Sequence, residues 1–182
     1  KSIDYSAITP EIKALTKLCL ADNVIEPEMY VKYAVNRGLR DLNGNGVLTG
    51  LTEISEIQSS KMVDGEKVPC EGKLFYRGVD VEQIVSGFIR EKRYGFEETV
   101  YLLLFGALPD EAQLDDFKKL LAGYRSLPTN FVRDVILKAP NADMMNTLAR
   151  SVLTLYSYDA RATDNSTENV LRQSLELIAK LP

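Results

Sequence analysis

From residue 80 to residue 182 the apolar positions recur at helical intervals. Val81, Ile84, Val85, Phe88 and Ile89 fall at i, i+3, i+4, i+7 and i+8, which is one face of a helix. Asp80 and Gln83 form a capping-box pattern at its start. Residues 96–105 are apolar nearly all round towards their end, which predicts a buried helix. Asp110 and Gln113 make a second capping box, and Leu114, Phe117, Leu120, Leu121 and Tyr124 carry that helix on. Pro128 opens a short helix through Lys138. Residues 143–158 and 166–181 read as two long amphipathic helices. Met145, Leu148, Val152, Leu155 and Tyr156 form the stripe of the first, and Val170, Leu171, Leu175, Ile178 and Leu181 that of the second.

The N-terminal part has a different texture. A helix is predicted over 10–21, capped by Thr9 and opened by Pro10, with Ile12, Leu15, Leu18 and Cys19 as its stripe. A short helix follows around 27–35. Residues 41–50 are rich in Gly and Asn and read as turns. Residues 47–57 and 74–76 read as short strands separated by a polar loop containing a proline. Two short strands cannot stand alone, so they are expected to decorate a helical body. The fold class is therefore mainly α, multi-helical, with a small β-hairpin near the N-terminal third. No internal repeat and no low-complexity segment interrupts it.

Composition narrows the classes. The chain has 182 residues, 45% hydrophobic and 26% charged, as in ordinary globular domains. A single domain of this size buries about 70% of its unfolded surface. The 22 basic against 26 acidic side chains give a net charge of −4, which argues against a nucleic-acid groove. No apolar run approaches the ~20 residues that span a bilayer. The N-terminal residues lack a signal-peptide pattern, and Cys19 and Cys70 read as reduced thiols. These features predict a cytoplasmic location, with neither nucleic acid nor membrane as partner.

Candidate chemistry is sparse. There is no histidine, so the usual proton shuttle near neutral pH is missing. Metal sites built on His or on clustered Cys are excluded, and no metal is expected. Asp41-Leu42-Asn43-Gly44-Asn45-Gly46 matches the opening of an EF-hand loop. The position of its bidentate carboxylate is occupied by Thr52, and a Gly/Asn turn is the favoured reading. Asn165-Ser166-Thr167 matches a glycosylation acceptor with no secretory signal beside it. The pairs Glu97–Glu98, Asp110–Glu111 and Asp115–Asp116 read as solvated faces or partners of helix N-termini. Arg40 and Arg77 stand out, because a guanidinium fork suits phosphate oxygens. Arg77, between a strand and a helix, is expected to be ion-paired inside the fold.

Several ordered motifs resemble those of citrate synthases. Gly38-Leu39-Arg40 is similar to the family's Gly-Leu/Met-Arg turn, and Gly50 to Ser55 to its Gly-x-Thr-x-Ile-Ser strand. Leu74 to Val81 resembles the Tyr-Arg-Gly-Tyr-Asp-Ile element. Residues 96–106 resemble the Phe-Glu-Glu-x-x-Tyr-Leu-Leu-x-x-Gly helix, followed by the Leu108-Pro109 step. Ile178-Ala179-Lys180-Leu181-Pro182 resembles a further family segment. One departure is clear: Asn141-Ala142-Asp143-Met144-Met145 stands where many members have His-Pro-Met, and Asp143 can cap the helix there instead.

The resemblance implies the N-terminal part of the family's large helical domain. Residues 1–37 would form a helical arm, 38–78 turns and short strands, and 79–182 the helical body, with the small domain and C-terminal part absent. It implies a parent acyltransferase that condenses acetyl-CoA with oxaloacetate to give citrate and CoA, with acetyl-CoA as substrate and no cofactor. It places Arg40 near the acyl-CoA phosphates, a surface or ion-paired arginine being the alternative. The catalytic histidines and aspartate are expected outside this segment, so no catalytic residue is assigned and the chain alone is expected to be inactive. A 2-methylcitrate synthase using propionyl-CoA and a stand-alone helical dimerisation or binding module are the alternatives. Helices 143–158 and 166–181 are expected to form a homodimer core.

Overall fold

The computed structural model of the chain describes residues 6–22, 24–35, 38–40 and 47–182. The EF-hand-like run at 41–46 lies outside the described residues. The architecture is mainly helical, with one small antiparallel sheet. The chain divides into two compact units, one formed by 1–17 and 115–182 and the other by 18–114.

Helix α1 spans Pro10–Asp22 and begins as expected, with the Ile12 N–H donating to Thr9 Oγ1 at 3.4 Å. Its buried side is Ile12 and Thr16 rather than the full apolar stripe, and Leu18 is exposed. Thr16 tolerates burial because its hydroxyl donates to the Ile12 carbonyl at 2.8 Å. A short helix α2 covers Pro27–Lys32.

The sheet differs most from the sequence expectation. Strand β1 runs Ser55–Val63 and β2 runs Glu66–Tyr76, so the expected polar loop is itself a long ribbon. The reason is the Asp64-Gly65 pair. Both residues adopt positive φ, 52° and 83°, as a two-residue hairpin turn requires. Pro69 pairs with Ser60 where the β1–β2 register shifts. A second turn of the same kind, Arg77-Gly78 with φ of 49° and 79°, leads into β3, Val79–Asp80. The strand order is β1-β2-β3.

Helix α3, Val81–Glu91, starts where Asp80 accepts from the Glu82 N–H at 2.9 Å. This is a simple cap rather than the expected reciprocal box. Only Ile84 of the α3 stripe is buried, while Val85 and Ile89 are exposed. Helix α4, Phe96–Phe105, matches the expected bounds and buries Tyr101, Leu102 and Phe105. Its end is set by Gly106, whose φ of 83° is the left-handed stop. The Asp110–Gln113 box forms reciprocally, at 2.9 and 2.8 Å, ahead of α5, Glu111–Tyr124.

In the unit built from 1–17 and 115–182, the buried apolar residues include Ile12, Phe117, Leu121, Phe131, Leu171 and Leu175. The expected helix after Pro128 is a π-helical segment, Val132–Leu137. Helix α6, Met144–Leu155, is capped by Asp143, which accepts from the Asn146 N–H at 3.0 Å, and continues as a 3₁₀ turn, Tyr156–Tyr158. No residue of α6 is buried. Helix α7, Thr167–Lys180, is capped by Ser166. Its buried face includes Asn169, Arg172 and Glu176 beside Leu171, Leu175 and Ala179, while Val170 and Leu181 are exposed.

Candidate functional site

The two arginines singled out from the sequence have different surroundings. Arg40 is exposed, next to Leu39, whose carbonyl accepts from the Val47 N–H at 3.3 Å. An exposed guanidinium is accessible to a large anionic ligand. Arg77 is half-buried in the turn between β2 and β3. Its partners include two main-chain carbonyls. Nε and Nη2 donate to the Leu103 carbonyl at 3.1 and 3.0 Å, and Nη1 to the Asp22 carbonyl at 3.3 Å. Asp22 closes α1 and Leu103 lies in the last turn of α4. Carbonyls at helix ends lack intrahelical donors and carry partial negative charge, so one cation serves both ends. Arg77 is therefore a structural clamp.

The paired carboxylates are absorbed by local structure. Glu98 accepts from Arg93. Asp115 and Asp116 both pair with Lys119 on the surface of α5, and Asp110 serves its capping box. Cys19 and Cys70 are half-buried thiols that form no disulfide. Among the described residues no three His, Cys, Asp or Glu side chains converge as a metal site.

A charged cluster missed by the sequence reading lies on α7 and the loop before it. Arg172 has no exposed surface. Its Nη2 donates to Asp159 Oδ2 at 2.5 Å and its Nη1 to Glu176 Oε1 at 2.7 Å. Its Nε and Nη2 also reach Asn169 Oδ1, at 3.0 and 2.8 Å. Asn169 in turn donates to the carbonyls of Arg161 and Asp164. Lys180 donates to Glu176 Oε2 at 2.7 Å. Gln173 donates to Asp159 Oδ2, and the Arg161 N–H and Ser6 hydroxyl to Asp159 Oδ1, each at 2.9 Å. Burial pushes the Asp159 carboxyl up. The donors Gln173, Arg172, the Arg161 N–H and Ser6 outweigh it and bring it down to about 2. The signal in the sequence was the spacing of Asn169, Arg172, Glu176 and Lys180 along one helix face.

Two cavities adjoin this cluster in the same unit. One, of about 170 Å³, is lined by Asp159, Gln173, Glu176 and Lys180 together with Tyr156 and Tyr158. The other, of about 410 Å³, is more apolar, with Phe131, Met144 and Leu148 among its lining residues. They share a wall of Val152, Leu155, Leu177 and Lys180, so both belong to one cleft between α6 and α7.

The family model for citrate synthase, C-terminal domain, matches residues 41–182, most of the chain. The chain belongs to the citrate synthase family. A citrate synthase of Saccharolobus solfataricus is 31% identical over 129 residues, which cover 70% of this chain and 31% of that protein. The 2-methylcitrate synthase 1 of Corynebacterium glutamicum is 30% identical over 139 residues, covering 76% and 32% respectively. The crystal structure of citrate synthase from Pyrobaculum aerophilum is similar with a TM-score of 0.58 and 27% identity. The match covers 79% of this chain and 36% of that one. The chain thus spans about a third of the length of the curated relatives it matches. The mainly helical fold read from the sequence is the fold of this family. No described helix is long and apolar enough to cross a membrane.

Proposed function

We propose that the chain is part of a citrate synthase-type acyltransferase that joins the methyl carbon of acetyl-CoA to the ketone carbon of oxaloacetate, after which water cleaves the thioester to release citrate and CoA. The family match over residues 41–182 carries this reading. The reaction needs a base to take a proton from the thioester methyl group, donors to stabilise the enol, and an acid for the ketone under attack. A chain without histidine lacks the side chain best suited to two of these roles, and alone it is expected to be inactive. What this segment contributes is scaffold and one binding group. The exposed Arg40 offers a planar fork of donors to the CoA phosphates. No cofactor is required, and the protein works in the cytoplasm.

Relatives named as citrate synthase and as 2-methylcitrate synthase match at similar identity, so propionyl-CoA is the second candidate substrate. The test is thiol release from acetyl-CoA and from propionyl-CoA in the presence of oxaloacetate. It is measured for the 182-residue chain and for the product of the gene that encodes it. Activity of the latter with either thioester, and none of the former, is the expected result. No activity of the gene product with either would reject the proposal.

The chain also associates, in this reading, as a homodimer through α6 and α7. Met144 and Met145 are 81% and 72% exposed on a helix that buries none of its residues. The apolar cavity of about 410 Å³ continues their surface. Extended apolar surface of this kind rarely stays open to water, and a two-fold partner covers it with the same patch.

A further inference from the structure

We propose that the groove between the π-helical segment and α6 binds a small organic phosphate, a dianionic head on a short aliphatic body. The groove shares no lining residue with the cleft between α6 and α7, and the inference does not depend on which thioester the parent enzyme takes. Its volume is about 630 Å³, within the range of about 300–1,000 Å³ usual for ligand pockets. One wall is the π-helical segment and the residues that follow it. Bonding from i to i+5 widens each turn, so residues four and five apart share a face, and Asp134 and Val135 stand over Lys138 and Ala139. The other wall is the i, i+3, i+4 row of Arg150, Leu153 and Thr154 on α6. Turns of the π kind are rare and recur at functional sites. This one is pinned at both ends: Phe131 is buried with its ring edge-on to Tyr158, and the Ala139 carbonyl accepts from Arg150 Nη2 at 3.0 Å.

The charges in the groove do not cancel. Arg133 answers Asp134 with two bonds of 2.8 Å, from Nε and Nη2. It holds that carboxyl below its ordinary value, with a smaller contribution from Lys138. Two cations remain, and both are exposed. The Lys138 ammonium makes no hydrogen bond or ion pair among the described residues. Arg150 has no carboxylate partner among them either. Its Nη2 is held by the Ala139 carbonyl and, at 3.4 Å, by Thr147 Oγ1, which orients the guanidinium and leaves Nε and Nη1 open. In a chain of net charge −4 this is a local exception. The charge count selects the ligand. A monocarboxylate answers one cation and strands the other. A phosphate monoester carries about two negative charges at neutral pH and three acceptor oxygens, so one head meets both. The planar donors of arginine suit those oxygens, and lysine adds a point charge. Behind the head, Val135 and the 74% exposed Leu153 offer apolar surface to a short chain.

Amide NMR spectra of the 182-residue chain, titrated with hexyl phosphate, test this. Saturable shifts are expected at Val135, Lys138, Ala139, Leu153 and Thr154, with a Kd of about 1 mM or tighter. Inorganic phosphate lacks the chain, hexanoate the second charge and hexanol the head, and each is expected to bind about tenfold more weakly or worse. Lys138→Gln is expected to weaken hexyl phosphate about tenfold. Asp134→Asn, which removes a carboxylate from the lining and releases Arg133, is expected to tighten it about threefold. Arg150→Gln is expected to act as Lys138→Gln does. Where loss of the bond to Ala139 unfolds that variant, Lys138→Gln decides the matter, because the Lys138 ammonium holds no other group in place. The proposal is overturned by the absence of binding up to about 10 mM, or by shifts centred outside the groove. Equal affinity for any of the three controls, a Lys138→Gln variant that binds as well as the unaltered chain, or an Asp134→Asn variant that binds more weakly overturns it too.

Discussion

Arg172 and Asp159 meet through a 2.5 Å hydrogen bond from a guanidinium with no exposed surface. The pair is a liability if broken. Arg172→Ala leaves the half-buried Asp159 and the buried Glu176 without the guanidinium they share. The expected loss is about 3–5 kcal/mol, the usual cost of stripping one partner from a buried ion pair. Urea unfolding followed by circular dichroism measures it.

Asp159 also fixes an acid limb. In the folded chain it stays ionised down to about pH 2, while its ordinary value is 3.8. A lowered carboxyl stabilises the fold fully above about pH 4, and that contribution is lost as the pH falls through about 2. The gap is worth roughly 2 kcal/mol at 1.36 kcal/mol per unit. Asp159→Asn should flatten the stability profile in that window. Melting temperatures between pH 2 and pH 6, compared with the unaltered chain, provide the check.

Arg77 clamps two helix ends from a backbone of positive φ. Arg77→Ala removes charge-assisted bonds worth about 1.5–3 kcal/mol and keeps the unfavourable backbone. Arg77→Gly removes the same bonds and relieves about 1 kcal/mol of strain. The Gly variant should therefore be the more stable of the two. Equal stabilities would mean that the turn is not strained at Arg77.

Arg40 is exposed and is proposed to meet the CoA phosphates. In the active gene product, Arg40→Ala should raise the KM for the acyl-CoA about tenfold, corresponding to a charge-assisted contact of about 1.5 kcal/mol. The KM for oxaloacetate should change little. Steady-state kinetics with each substrate varied in turn separates this from a general loss of structure, which would lower kcat instead.

What the sequence revealed follows from which interactions are local. Helix α4 was legible to the residue, because Phe96 opens an apolar run and Gly106 closes it with a backbone few other residues adopt. The Asp110–Gln113 and Asp143 caps were legible because a cap is written within four residues. The ribbon was misread because Pro69 looked like a loop marker and the Asp64-Gly65 turn was passed over. The buried face of α7 was misread for another reason. Arg172 and Glu176 look like surface residues until Asp159, 13 positions from Arg172, folds back on them. Burial of charge depends on partners that helical periodicity does not name. Arg40 came from resemblance alone, and no local pattern distinguishes it from any exposed arginine.

The turns at Asp64-Gly65 and Arg77-Gly78 make the ribbon a ruler with a fixed unit. Antiparallel pairs alternate between hydrogen-bonded and non-bonded, and a two-residue turn closes on one kind only. Shortening the ribbon by one pair would offer the turn the wrong kind. Removing two pairs, four residues in all, restores it and leaves the base at Phe75–Asp80 and the Arg77 clamp untouched. Length variation at this tip among related chains should therefore come in steps of four, and a four-residue deletion is the engineering change the clamp tolerates best.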